Sequence, residues 1–344
     1  MSEPATILAP LPATQILASR RLWLALAVLA IGLLPIVFSS SYWQTNLIVC
    51  ALNVLLALGL DFVLGYAGQL NLGQSAFYGI GAYASTLLIT RLGVPFWIAF
   101  CAGLSLAGLA GAVLSIFAVR LRGHYLAIAS LGFAVITYQV LLNWISLTQG
   151  PLGIYGIAPP PPLAIPGLPA IRFGSLANLF YLVAGFALLA YVVLDRLVRS
   201  PVGETLTAIR EDEVSAASLG IDCAKWKLFA FAVSSMVAGA AGCFYAGFVG
   251  TLVPDAFSMT ESFGVLAMVV VGGMGTLVGP AAGAVVLTVL PELLRGIGDL
   301  RLIVYGVLVT LVVLFMPGGM VQAARALAAR LRGRSATAPA GTAP

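Results

Sequence analysis

Apolar residues run along this chain in long uninterrupted stretches, separated by short polar or glycine-rich breaks. Leu22 to Phe38, Leu47 to Leu60 and Leu302 to Met316 are continuous. Strands of a membrane barrel alternate apolar and polar residues instead, so the pattern selects helices. A helix needs about 20 residues to cross the hydrocarbon core of a bilayer. Cutting at the polar breaks predicts helices near 22–40, 45–65, 72–90, 95–119, 124–147, 175–194, 228–250, 260–274, 277–294 and 300–316. The expected fold is therefore an all-α integral membrane protein of about ten spans with both termini on one side.

Composition strengthens the picture. Hydrophobic residues make up 61% of the 344 and charged residues only 8%, against about 25% charged in a soluble domain. Such a chain cannot cover itself with polar surface, so lipid is its main solvent and its backbone must satisfy its own hydrogen bonds. The first apolar run, at 17 residues, exceeds the signal-peptide core of about 7–15 and is read as a retained span.

Net charge is +5, yet the basic residues are scattered over loops and one tail, which excludes a nucleic-acid surface and points to membrane orientation. With the N-terminus inside, thirteen of the seventeen Lys and Arg fall inside, and Arg91, Arg172, Arg295 and Arg301 fall outside, as the positive-inside rule requires. Cys50, Cys101, Cys223 and Cys243 show no CxxC spacing, so neither disulfide nor metal is expected.

The expected organisation is an inner N-terminal segment at 1–21, a membrane domain at 22–316 and a basic, partly disordered inner tail at 317–344. Within the membrane domain, 148–174 holds Pro151, Pro159 to Pro162, Pro166 and Pro169 and is predicted to be a stiff outer loop without helix. The inner loop, 195–227, concentrates charge in a chain nearly devoid of it. Ser200 and Pro201 suit a helix start, Glu204 its first turn and Gly220 its end. Val202, Leu206, Ile209, Ala216 and Ala217 recur at helical spacing, so 201–219 reads as one amphipathic helix outside the bilayer. Interfacial helices usually carry a basic polar face. Glu211, Asp212 and Glu213 suit a protein partner better than anionic lipid.

Five segments, in order, resemble the LivM-type permease of branched-chain amino-acid ABC importers. They are Leu70-Asn-Leu-Gly-Gln-Ser-Ala-Phe-Tyr-Gly-Ile-Gly-Ala-Tyr83, Gly123-His-Tyr-Leu-Ala-Ile-Ala-Ser-Leu-Gly-Phe133, Gly150-Pro-Leu-Gly-Ile154, Ala208-Ile-Arg-Glu-Asp-Glu213 with Ser218-Leu-Gly220, and Val271-Gly-Gly-Met-Gly275. The resemblance implies a multi-pass bacterial inner-membrane subunit with both termini cytoplasmic and loop 148–174 periplasmic. It implies as partners a LivH-type permease, two cytoplasmic ATP-binding subunits and a periplasmic amino-acid-binding protein. It further implies that Arg210, Glu211, Asp212, Glu213, Ala217 and Gly220 belong to a coupling helix seated on an ATPase. Asp61 departs from the family, which often has Asn there, as does His124, where Asp is common.

No GxxxxGK[ST] motif occurs in the chain, and Gly272-Gly-Met-Gly-Thr276 lacks the Lys of a P-loop. The chain therefore needs partners to hydrolyse ATP and no cofactor of its own is expected. One His and no nucleophile–base pair leave an enzyme nothing to work with. Glycine clusters at 65–81 and 272–283 have two readings: close helix packing, or broken helices lining a solute path. Gln69, Asn71, Gln74, Ser75, Gly272, Gly273 and Gly275 are the candidates for that path. Asp61, an acid within an apolar run, is a functional candidate that under this topology also lies close to inner-side water. A urea or short-chain amide permease and an ion-coupled secondary transporter are the alternatives.

Overall fold

The computed structural model describes residues 31–118, 124–162, 173–298, 300–315 and 318–323. Expectations for 1–30, for 163–172 of the Pro-rich loop and for the tail from 324 lie outside the described residues. Helical structure at 31–37 leads into α1 (Ser41–Asp61), which Ser40 caps by accepting from the Trp43 N–H. A π turn, Phe62–Tyr66, extends α1. There follow α2 (Gln74–Leu92), α3 (Phe96–Ala118), α4 (His124–Asn143), the single turn α5 (Ile145–Thr148) and α6 (Leu176–Val198). Next come α7 (Pro201–Glu211), α8 (Glu213–Ser218), α9 (Cys223–Val249), α10 (Met259–Gly272), α11 (Val278–Leu293) and α12 (Leu300–Phe315).

Among the described residues, seven helical stretches are long and apolar enough to cross a membrane: Ser41–Tyr66, Phe96–Phe117, His124–Asn143, Leu176–Val198, Cys223–Val249, Pro254–Gly272 and Val278–Gly296. Helix α2, predicted as a span, is not among them. Its polar and small residues, Gln74, Ser75, Gly79, Gly81, Ser85 and Thr86, are buried, so protein rather than lipid is its solvent.

Two helices make the centre. Along Ser41–Tyr66, 78% of the most apolar window is buried inside the protein, against 28% for α4 and for α6. Helix α9 packs most extensively on α3 and α2. Glycine permits that approach, because a Cβ at Gly242 would strike the Tyr78 carbonyl and one at Gly81 the Gly239 backbone. Phe96, Phe100, Phe186 and Phe244 pack tilted or edge-on where α3, α6 and α9 meet. The outer helices leave Ile128, Ile136, Leu189 and Val193 exposed, faces that suit lipid or another subunit.

Cross-contacts define two ends. At one, Ile154–Tyr155 (β1) pairs antiparallel with Thr251–Leu252 (β2), and Arg91 donates to the Ser146 and Leu147 carbonyls. Within the predicted helix-free loop, Gly150–Leu152 forms a 3-10 turn. The β-bridge went unpredicted because it depends on a partner segment far away in sequence, and the turn because its support comes from Thr148 and Leu142 just before it. At the other end lie the close of α1, the helices α7 and α8, the start of α9 and the α10–α11 turn.

Candidate functional site at the α7–α8 end

The last turn of α1 is a π turn, and beyond it the Gln69 N–H closes back onto the Val63 carbonyl, so Gly65 is among the terminal carbonyls that lack an intrahelical donor. The freed Gly65 carbonyl accepts from Arg210 Nη1 of α7. Only glycine fits there, since a Cβ at Gly65 would collide with the Asp61 carboxylate and come within 2.5 Å of the Gly275 nitrogen. Asp61 is fully buried, and its Oδ1 accepts from the Gly275 N–H at 2.8 Å. The Arg210 stem packs on Gly68, whose φ of +68° demands glycine. Arg210 itself stays solvent-exposed along part of its length.

The α10–α11 turn is as tight. Gly273 and Gly275 take φ of 112° and 74°, and a Cβ at Gly272 would strike the Gly279 carbonyl. Gly319 lies against Gly273. Beneath this turn, Met274, Thr276, Gly318, Val321 and Gln322 line a cavity of about 240 Å³.

Between α1 and α2 the chain doubles back without helix through residues 67–73, deep enough for Gln74 Nε2 to reach the Leu56 carbonyl at 3.3 Å. Side chains satisfy the broken backbone, as they must in a membrane interior. Asn71 Oδ1 accepts from the Gly73 N–H at 2.8 Å, and Ser130 Oγ from the Leu72 N–H at 2.9 Å. Ser262 Oγ accepts from the Ser75 N–H at 2.9 Å and donates to Ser75 Oγ at 2.8 Å.

The predicted helix 201–219 is two helices. Ser200 caps α7 by accepting from the Val202 N–H, and Leu206 and Ile209 bury its inner face. At Asp212 the backbone turns extended, with φ −154° and ψ 107°. Its carboxylate accepts from the Val214 and Ser215 N–H groups and from the Ser215 hydroxyl. Led by that hydroxyl, these bonds hold the carboxyl below its ordinary range. Glu213 then pairs at 2.7 Å with Lys227 of α9, whose side chain is 5% exposed. Val214 and Leu219 remain 63% and 81% exposed.

The predicted residues therefore fall into three places. Arg210 meets Gly275, with Gly272 and Gly273 behind it. Glu211, Asp212, Ala217 and Gly220 lie exposed on the α7–α8 element, and Gly220 closes α8 with φ +86°. Gln69, Asn71, Gln74 and Ser75 form a separate buried polar layer. Sequence reasoning missed Ser130, Ser234 and Ser262, the partners of that layer, and Lys227. A lysine buried in the first turns of an otherwise apolar helix was a usable signal for the last.

An apolar helical bundle with broken helices and a two-helix element fixed to one end defines a multi-pass α-helical membrane protein. The chain belongs to the family described as branched-chain amino acid transport system / permease component, which it matches over residues 44–316. It is 37% identical to the high-affinity branched-chain amino acid transport system permease protein LivM of Escherichia coli, covering 79% of this chain and 68% of that protein. Identity to the probable LivM permease of Methanocaldococcus jannaschii is 25%, covering 78% and 90%. To LivH of Salmonella typhimurium it is 26%, covering 77% and 90%. No solved structure matches the chain.

Proposed function

We propose that this chain works in a bacterial inner membrane with a second, LivH-type permease, the two together forming the path for branched-chain or other neutral amino acids. Two partner ATPases drive it through α7–α8, and a periplasmic binding protein supplies the solute. The relatives are named for that transport. The observation that carries the coupling role is α8 itself, which presents Val214 and Leu219 to solvent on an element braced from behind by Arg210–Gly65 and Glu213–Lys227. Exposed apolar side chains on a rigid polar element suit a groove in a soluble partner.

Orientation follows from charge. Arg196, Arg199, Arg210, Lys225 and Lys227 sit at the α7–α8 end, and Arg91 and Arg295 at the other, a bias that supports a cytoplasmic α7–α8 end. Adding α2, α12 and the predicted 22–40 segment to the seven apolar stretches brings the count to the ten expected.

Asp bears a charge that an apolar groove rejects. Val214→Asp combined with Leu219→Asp abolishes co-purification of the ATPases while leaving the permease pair assembled. Co-purification at the wild-type level contradicts the reading.

A further inference from the structure

We propose that Arg210 is the positioning residue through which movement of α7 reaches both glycine-broken regions of the membrane domain at once. The inference rests on the coupling role proposed for α7–α8 and adds the route by which that role reaches the spans.

Three chain segments meet at one point. From α7 comes the Arg210 guanidinium. The end of α1 contributes the Gly65 carbonyl, one of the helix-terminal acceptors that intrahelical bonds leave over. The α10–α11 turn contributes the Gly275 N–H, which donates to Asp61 Oδ1 at 2.8 Å. The two bonds share a wall: a Cβ on Gly275 would lie 3.2 Å from Arg210 Nη1 and 3.3 Å from the Gly65 oxygen. Gly65 in turn lies against both Asp61 and Gly275. Displacing the guanidinium therefore displaces the Gly65 peptide, and that peptide cannot move without pushing on the carboxylate and the turn it holds.

The chemistry suits a transmitter. Arginine keeps its charge at all working pH values and offers a rigid fork of donors, one of which reaches the Gly65 carbonyl beside Asp61. Asp61 Oδ2 has no hydrogen-bond partner among the described residues, so the carboxylate's hold on this junction is Oδ1. A π turn is a one-residue irregularity that an α-helix absorbs by reverting to regular spacing, which is why such turns mark places where helices shift. The Arg210 stem runs over Gly68, at the exit of the same turn. Leu206 and Ile209, buried on the inner face of α7, give the helix a firm seat, so its motion is that of a lever and not of a loose tether.

A purely structural pin and a transmitter are told apart by the ratio of solute transported to ATP hydrolysed. Both are measured in the same proteoliposomes holding the whole complex, for wild type, Arg210→Ala, Arg210→Lys and Asp61→Asn. A charge-assisted hydrogen bond is strong enough that its loss lowers the ratio about tenfold in Arg210→Ala. Arg210→Lys recovers part of it, because one donor and the charge remain. Asp61→Asn, which keeps an oxygen for the Gly275 N–H, stays near the wild-type ratio. Transport and hydrolysis falling together in Arg210→Ala, at the wild-type ratio, overturns the proposal and leaves a merely structural bond. Should Arg210→Ala fail to assemble, Arg210→Lys decides by the same criterion. A wild-type complex that takes up solute without ATP removes the coupling reading itself, and this inference with it.

Discussion

Glycine and the few buried charges decide most of what is particular to this protein. Gly242 and Gly185 are both helical, but a Cβ on the first would strike the Tyr78 carbonyl, whereas one on the second meets nothing within 4 Å. Gly242→Val therefore destabilises the protein by about 1–3 kcal/mol through overpacking, and Gly185→Val stays within about 0.5 kcal/mol. Thermal unfolding in detergent reads the difference, and equal effects refute the packing assignment. The Glu213–Lys227 pair is asymmetric in the same measurable way. Glu213→Ala strands a cation that is 5% exposed, whereas Lys227→Ala leaves a carboxylate that is 28% exposed and has another contact. An unsatisfied buried group costs about 1–3 kcal/mol, so Glu213→Ala is the more destabilising of the two. The reverse order in the same melts contradicts the burial described.

At the scale of elements, the helices stood largely legible in the apolar runs, since a membrane helix needs little beyond length and hydropathy to declare itself. Irregular places were less so. Gly220 and Pro201 marked the limits of the α7–α8 element, but the break at Asp212 was hidden. The apolar spacing of Leu206, Ile209 and Ala216 carries on across it, and aspartate is unremarkable inside a surface helix until its side chain is seen turning back onto the next two N–H groups. The polar layer was half visible. Gln69, Asn71 and Gln74 stood out as too polar for lipid, whereas Ser130, Ser234 and Ser262 looked like ordinary small residues of apolar helices and gained meaning only from what they face.

The Asp212 turn carries its own test. Its carboxyl is held below the unfolded value of about 3.9. The contribution to folding is therefore fully present above that pH and lost only as the pH falls through the lower, folded value. Amide exchange at Val214 and Ser215, taken relative to the intrinsic rate, is accordingly flat between about pH 5 and pH 8. Asp212→Ala speeds it, and Asp212→Asn, which keeps an acceptor, largely does not. A protection that decays between pH 8 and pH 5 in the wild type contradicts the cap.

For the whole molecule, the fold reads as a central pair, α1 and α9, ringed by helices whose apolar faces await lipid or another subunit, with every tie to the α7–α8 element gathered at one end. Under the proposed function that arrangement is one subunit of a larger machine, with two sets of broken helices and a handle on them. The family match over residues 44–316 gives the class of that machine, and the geometry at Arg210, Asp61 and Gly275 gives the grip.

The most direct measurement is uptake of radiolabelled leucine into proteoliposomes containing this chain, its permease partner, both ATPases and external binding protein, with ATP supplied on the ATPase side alone. The account predicts uptake that requires ATP and every subunit. Uptake by this chain alone, indifferent to ATP, contradicts it.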